Sequence, residues 1–287
     1  MSQTLIKIAV QKKGRLADKS IQLLQKIGLE FEISEQKLSV KCTNYPAEIL
    51  FIRDDDIPEF VRDGIADLGI SGENIVWEKT VEVKNLLKLG FGNCALILAV
   101  PKKSKIKAVK DLAGSRIVTS YPQSAAKFLS QNKIKAEIIK IAGSVELAPE
   151  IGLGNAIIDL VATGATLERH GLKPIMEIYK SEAVLIANPK SCLNKKEHIE
   201  ELLIRLKAVL ASQGKKYVML NVHKKNLLAI EKILPSLDAP TILPLAKEDE
   251  LSVHTVMSES QFWQILSKLK QAGAKDILVL DIEKMVR

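Results

Sequence analysis

Short apolar runs alternate with stretches of helical spacing through the first two thirds of the chain. Ile6-Lys7-Ile8-Ala9-Val10 reads as a strand, and residues 16–27 carry apolar positions at Leu16, Ile21, Leu24 and Ile27, closed by Gly28, which predicts a helix. Residues 48–52 form a second buried strand that runs into Arg53-Asp54-Asp55-Asp56-Ile57-Pro58, where an Asp cap and an early proline announce a helix ending at Gly64. Residues 66–70 read as a third strand, with a turn at Ser71-Gly72-Glu73. A second series follows: an apolar run over 94–100 ended by Pro101, a short helix closed at Gly114, a strand at 116–119, a helix through Leu129, a strand at 136–141, a helix opening at Gly143-Ser144-Val145-Glu146, and a strand at 156–161. Residues 183–187 look like a strand that returns the chain to the first series. Such repetition predicts an α/β layered fold with largely parallel sheets, arranged as two similar lobes with a ligand cleft between them.

The last 72 residues read differently. Strands over 217–222, 241–245, 251–257 and 276–280 are interleaved with helices over 226–234 and 258–272, the β-α-β-β-α-β order of a ferredoxin-like module.

Length and composition narrow the field. At 287 residues the chain suits two or three domains, and 47% hydrophobic with 26% charged residues is ordinary for a globular protein. No apolar run reaches the roughly 20 residues that span a bilayer, and the first ten residues, with Lys7 inside a short apolar stretch, read as a strand rather than a signal peptide. Cys42, Cys94 and Cys192 are odd in number and widely spaced, which points to a reducing compartment and a cytoplasmic protein. The net charge is +8, of which the first 215 residues carry +7. Aromatics are 4% of the chain and no stripe interleaves them with Lys or Arg, so phosphorylated metabolites fit this excess better than nucleic acid.

Three segments could carry chemistry. In Asp159-Leu160-Val161-Ala162-Thr163-Gly164-Ala165-Thr166-Leu167 a buried strand ends in a Thr-Gly turn and a helix begins at once. Outward N–H groups and two hydroxyls there make a phosphate cradle, with Asp159 placed to hold ribose hydroxyls; the alternative is an N-capping Thr after a core strand. Gln11-Lys12-Lys13-Gly14-Arg15-Leu16 lies between a strand and a helix, where Lys12 and Arg15 could neutralise a polyphosphate or form a solvated basic loop. The acids at 54–56 fit helix capping better than a magnesium site, magnesium carried in by substrate phosphates being the more economical arrangement. The four histidines share no spacing with cysteines or acids, and no Walker, Gly-x-Ser-x-Gly or dinucleotide fingerprint is present, so a covalent nucleophile is not indicated.

Seven segments taken in order resemble one family. They are 11–16, 53–58, Asp67-Leu68-Gly69-Ile70-Ser71-Gly72-Glu73-Asn74, Thr119-Ser120-Tyr121-Pro122, 143–146, 159–172 and Pro240-Thr241-Ile242-Leu243-Pro244-Leu245, and together they look like the long form of ATP phosphoribosyltransferase. The resemblance implies a bilobal, periplasmic-binding-protein-like (type II) catalytic core, lobe I being 1–95 and 184–215 and lobe II 96–183, with a ferredoxin-like regulatory domain at 216–287. It implies transfer of the phosphoribosyl group of 5-phosphoribosyl 1-pyrophosphate to N1 of ATP with magnesium, the first step of histidine biosynthesis, feedback-inhibited by histidine in a homo-oligomer (dimer or hexamer). By similarity, Asp159, Thr163, Gly164, Ala165, Thr166 and Leu167 bind 5-phosphoribosyl 1-pyrophosphate. Lys12, Gly14, Arg15, Leu16, Gly72 and Ser120 line the ATP and pyrophosphate side, and His223, Leu237 and Thr241 form a histidine pocket. A solute-binding protein of the same architecture and a catalytically idle regulatory subunit are the rival readings; the unpaired cysteines speak against the first and the presence of Arg15 and the Thr163–Thr166 loop against the second.

Overall fold

The computed structural model describes residues 5–33, 36–162, 164–235 and 239–286. The chain divides into two compact units, Met1–Glu200 and Glu201–Arg287. Along the first unit run β1 (Ile6–Gln11), α1 (Ala17–Lys26), β2 (Ser39–Lys41), β3 (Ala47–Ile52), α2 (Ile57–Arg62), β4 (Leu68–Gly72), α3 (Glu73–Lys79) and β5 (Lys84–Lys88). Then come β6 (Cys94–Pro101), β7 (Arg116–Thr119), α4 (Pro122–Gln131), β8 (Glu137–Lys140), β9 (Ala156–Val161), α5 (Ala165–Arg169), β10 (Leu172–Ser181), β11 (Ala183–Ala187) and α6 (Ser191–Asn194), with α7 (Lys196–Ser212) leading into the second unit.

Two sheets form, with strand orders β2-β3-β1-β4-β11-β5 and β10-β6-β9-β7-β8. In the first, β1 lies parallel to both β3 and β4, and its near-continuous burial reflects coverage on both faces. Helix α2 lies so close on β4 that a Cβ at Gly69 would stand 2.7 Å from Ile57 Cγ2 and 2.8 Å from Val61 Cγ2, so a side chain there would push the helix away. In the second, the strands bury Leu96, Leu98, Ile117, Phe128 and Ile158 on one face and Ala99, Val118, Ile157, Leu167 and Leu172 on the other.

The sheets are mixed, not largely parallel. Strand β11 pairs antiparallel with β4 and β5, and β6 pairs antiparallel with β9 and β10. Strand β11 inserts between β4 and β5 and runs opposite to both, and β10 folds back on β6 at an edge where Pro174 and two register breaks are tolerated. Ser71 and Gly72 extend β4 instead of forming a turn, and α3 follows directly. The helix expected from 143 is one 3-10 turn, Val145–Leu147, because Pro149 follows at once.

The second unit contains β12 (Lys215–His223), α8 (Leu227–Ile233), β13 (Thr241–Pro244), β14 (Glu250–Ser258), α9 (Glu259–Gln271) and β15 (Lys275–Asp281). Its antiparallel sheet has the order β13-β14-β12-β15, the ferredoxin-like arrangement. Ile230, Phe262 and Leu269 pack on Val218, Leu220, Val253 and Met257. Ser258 and Gln261 form the reciprocal capping box that starts α9.

A buried carboxylate ties the first unit together behind its first sheet. Asp67, 4% exposed, accepts hydrogen bonds from Lys7 N–H at 2.8 Å, Lys195 Nζ at 2.7 Å and Ser191 Oγ at 2.6 Å, and Lys195 Nζ also donates to the Leu5 carbonyl. Removing one partner of such a pair strands the other charge. Asp67→Ala is expected to cost about 3 kcal/mol, read as a lower denaturant midpoint for the first unit; an unchanged midpoint would show that the network contributes no net stability.

Candidate active site

The turn at 12–16 leaves the end of β1, on the side where the parallel strands of the first sheet finish, the usual ligand side of an open α/β sheet. Buried Gln11 closes it, its Oε1 accepting a hydrogen bond from Leu16 N–H at 3.1 Å, while Lys12 N–H donates to the Ile52 carbonyl at the end of β3. Gly14 has φ +122°, and a Cβ there would collide with the Gln11 amide, so the closed turn requires glycine. Lys12 and Leu16 are half-buried, and Arg15 is exposed. Gly72 ends β4 where a Cβ would collide with Asn74 Oδ1. Asn74 is itself engaged with Ser181 at the end of β10: its N–H donates to Ser181 Oγ at 2.9 Å, and that hydroxyl donates to Asn74 Oδ1 at 3.0 Å.

Across from this turn stand residues of the second sheet. Ser120 follows β7 and donates its hydroxyl proton to the Ile141 carbonyl at 2.9 Å, which leaves its oxygen as an acceptor. Asp159 lies on β9 opposite Ile97, at the point where the strand changes from fully to partly buried. Gly164, with φ +79°, begins α5 and has open space where a side chain would be. Thr166 is exposed, while Leu167 is 5% exposed and holds the loop down against Ala99, Val118 and Ile157. Thr163 lies outside the described residues, and of Ala165 only the backbone is described. With five residues α5 has little macrodipole; what it offers an anion is its first-turn N–H groups and the Thr166 hydroxyl.

Charge shows how these pieces face one another. Burial pushes the Asp159 carboxyl up to about 6; the Leu160 N–H and the Arg15 guanidinium pull it back and Glu146 pushes it further. Burial also raises the Tyr121 phenol, and the charges of Asp159 and Asp55 add to it. The Cys94 thiol is raised by burial and lowered by Ser181 and Arg15, and Tyr179 is pushed up to about 12 by burial against a hydrogen bond to Ser124. Arg15 and Asp55 belong to the first sheet's loops; Asp159, Tyr121 and Cys94 belong to the second. The Arg15 guanidinium is thus near enough to Asp159 and Cys94 of the second sheet to hold both groups down, and Tyr121 lies near Asp159 and Asp55. Arg15 and Asp159 are residues that the sequence singled out, and Tyr121, Cys94 and Tyr179 are not: Tyr121 sits beside Ser120 before a helix-starting proline, a readable signal, whereas Cys94 and Tyr179 carry none.

The acids at 54–56 form a 3-10 turn ahead of α2; Asp56, the N-cap of α2, makes no side-chain cap, while the Asp54 carboxyl takes hydrogen bonds from the Asp54 and Asp55 backbone N–H groups. Burial and then the neighbouring Asp55 raise the Asp54 carboxyl. Among the described residues no group of three or more His, Cys, Asp or Glu could hold a metal ion, and no helix is long and apolar enough to cross a membrane. In the second unit, His223 ends β12 with its Nδ1 accepting from Lys225 N–H at 3.3 Å, and Thr241 begins β13. The register pairs His223 with Glu250 and Thr241 with His254, which sets them about 13 Å apart along the strands. Leu237 lies outside the described residues.

The raised Asp159 carboxyl has a signed consequence. Its folded value exceeds the ordinary one, so its contribution to stability falls as pH rises from about 4 to about 6. Asp159→Asn, uncharged throughout, is expected to exceed the native protein in stability by about 3 kcal/mol above pH 7 and to match it closely at pH 4. Denaturation at both pH values checks this; a variant less stable at pH 7 would contradict it.

The chain is similar to known proteins along its whole length. The family described as "HisG: ATP phosphoribosyltransferase" matches residues 53–208, and "HisG, C-terminal domain" matches 195–284. The ATP phosphoribosyltransferase of Cytophaga hutchinsonii is 45% identical over 284 residues, covering 99% of both chains. That of Bacteroides thetaiotaomicron is 46% identical over 282 residues, covering 98% of this chain and 100% of the relative. Among solved structures, the ATP phosphoribosyl transferase (HisG:HisZ) complex from Thermotoga maritima matches with a TM-score of 0.63 at 28% identity, over 71% of this chain and 97% of that one. Matched over both units and at full length, this chain belongs to the ATP phosphoribosyltransferase family, in the long form that carries the C-terminal domain.

Proposed function

We propose that the cleft between the turn at 12–16 and the strand end at Asp159 is where this ATP phosphoribosyltransferase brings its two substrates together. The family's reaction, the first step of histidine biosynthesis, forms a bond from N1 of ATP to the anomeric carbon of 5-phosphoribosyl 1-pyrophosphate as the bond to pyrophosphate breaks. In this reading Gly164, Ala165, Thr166 and Leu167, with Thr163, seat the 5-phosphate and Asp159 accepts from the ribose hydroxyls. Lys12, Gly14, Arg15, Leu16, Gly72 and Ser120 line the ATP and pyrophosphate side. The observation that carries it is the closed basic turn at the end of β1, shaped by Gln11 and Gly14, which sets Lys12 and Arg15 on the ligand side of the sheet as a seat for the leaving pyrophosphate, with Arg15 near enough to Asp159 to hold its carboxyl down.

No protein nucleophile is required. The chain's work is to hold two anions in line and to stabilise the departing one, and positioning of this kind lowers barriers by several kcal/mol. Magnesium would supply charge neutralisation on the pyrophosphate oxygens. An ion carried in by substrate phosphates suits a cleft that supplies Lys12 and Arg15, because among the described residues no group of three or more His, Cys, Asp or Glu could hold it directly.

The division into lobe I (1–95 and 184–215), lobe II (96–183) and a regulatory domain (216–287) is proposed on the same footing, with a cytoplasmic homo-oligomer. The C-terminal domain of the family brings feedback by histidine. Of the residues proposed for that pocket, His223 and Thr241 are offset by four residues along β14, so a histidine contacting both would lie along the strands between them.

Turnover is followed as pyrophosphate release from ATP, 5-phosphoribosyl 1-pyrophosphate and magnesium. Arg15→Ala is expected to lower kcat at least tenfold, about 1.4 kcal/mol of transition-state stabilisation; Thr166→Ala is expected to raise KM for 5-phosphoribosyl 1-pyrophosphate about tenfold more than KM for ATP. Native kinetics in Arg15→Ala, or equal effects on both substrates in Thr166→Ala, would contradict the assignment. Thr241→Ala is expected to weaken histidine inhibition with both KM values unchanged; undiminished inhibition would place the effector elsewhere.

A further inference from the structure

Helix α4 begins without a cap of its own. Its N-cap is Tyr121, which offers no side-chain acceptor, and Pro122 follows. The two first free donors are instead satisfied from the other sheet: Glu78, near the end of α3, accepts Gln123 N–H on Oε1 at 2.9 Å and Ser124 N–H on Oε2 at 2.9 Å. A carboxylate taking two N–H groups at a helix start is a charge-assisted, dipole-favoured contact. It is not isolated. Trp77 meets Tyr179 edge-on with ring centroids 4.5 Å apart, Tyr179 OH donates to Ser124 Oγ at 3.1 Å, and Asn74 exchanges hydrogen bonds with Ser181. Residues 74, 77 and 78 share one face of α3, and 179 and 181 share one face of β10.

We propose that Glu78 is a positioning residue: α3 is a strut between the lobes, and the Glu78 carboxylate, by capping α4, fixes Tyr121 and the residues after β7 relative to the turn at 12–16. The proposal rests on the reading of the cleft as the place where the substrates meet. Each substrate keeps its own seat when the strut is loosened, but the two seats lose alignment, so the loss falls on kcat rather than on KM.

The chain has two tryptophans, Trp77 and Trp263, so Trp263→Phe leaves Trp77 as the reporter of the strut. In that background Glu78→Ala is expected to lower kcat at least tenfold, to move both KM values less than threefold, and to raise acrylamide quenching of Trp77 at least twofold. Glu78→Gln, which keeps the shape but not the charge, is expected to fall between, and it serves alone if the alanine variant does not fold. Unaltered Trp77 quenching, or altered quenching with native kcat, overturns the proposal. Native turnover in Arg15→Ala would instead remove the reading of the cleft, and the quenching result would then stand for the strut alone.

Discussion

The chain passes between the two sheets of its first unit only along two neighbouring tracks, and these tracks are bonded to each other. Leu89 N–H donates to the Ala183 carbonyl and Ala183 N–H to the Phe91 carbonyl; Gly90 N–H donates to the Glu182 carboxylate, and Lys88 lies between Glu73 at 3.5 Å and Glu182 at 3.4 Å. Gly90 and Gly92 adopt positive φ, which lets the first track bend between the sheets. The turn at 12–16 packs against this crossing, since a Cβ at Gly92 would collide with Leu16. Whatever occupies that turn therefore lies beside the place where the chain passes from one sheet to the other.

The distribution of charge across the cleft matches a displacement that needs no covalent intermediate. The first sheet contributes an exposed guanidinium, the second a carboxylate whose burial works against its ionisation. Isolated on its strand, Asp159 is costly to the fold near neutral pH, a local strain of the kind that persists where function requires it. Asp67, bonded by Lys195, Ser191 and the Lys7 N–H, shows the opposite case: a buried acid made cohesive by its partners.

Much of the fold was legible because its determinants are local. Strand β9 and the four strands of the second unit stand out as β-branched runs between turn residues, and α9 announces itself through Ser258 and Gln261. What was hidden is set by tertiary context. Strand β10 carries Pro174 and register breaks that erase its alternation, and the antiparallel entry of β11 depends on where the chain has been, not on its own residues. Helix α3 was masked by a glycine that reads as a turn but is required by the nearness of Asn74. In the site, Gly14, Arg15 and Asp159 were legible because glycine turns and lone charges at strand ends are local signals. The cap on α4 was not, since Glu78 and Gln123 are 45 residues apart and meet only in the folded lobes.

The proposed site depends on one proximity, that of the Arg15 guanidinium to the Asp159 carboxyl. It is tested most directly by titrating the Asp159 carboxyl, through its carbon resonance, in the native protein and in Arg15→Ala. The account predicts a midpoint near 6 in the native protein and a higher one without the guanidinium. A native midpoint in the ordinary range near 4, or one indifferent to Arg15, would contradict it.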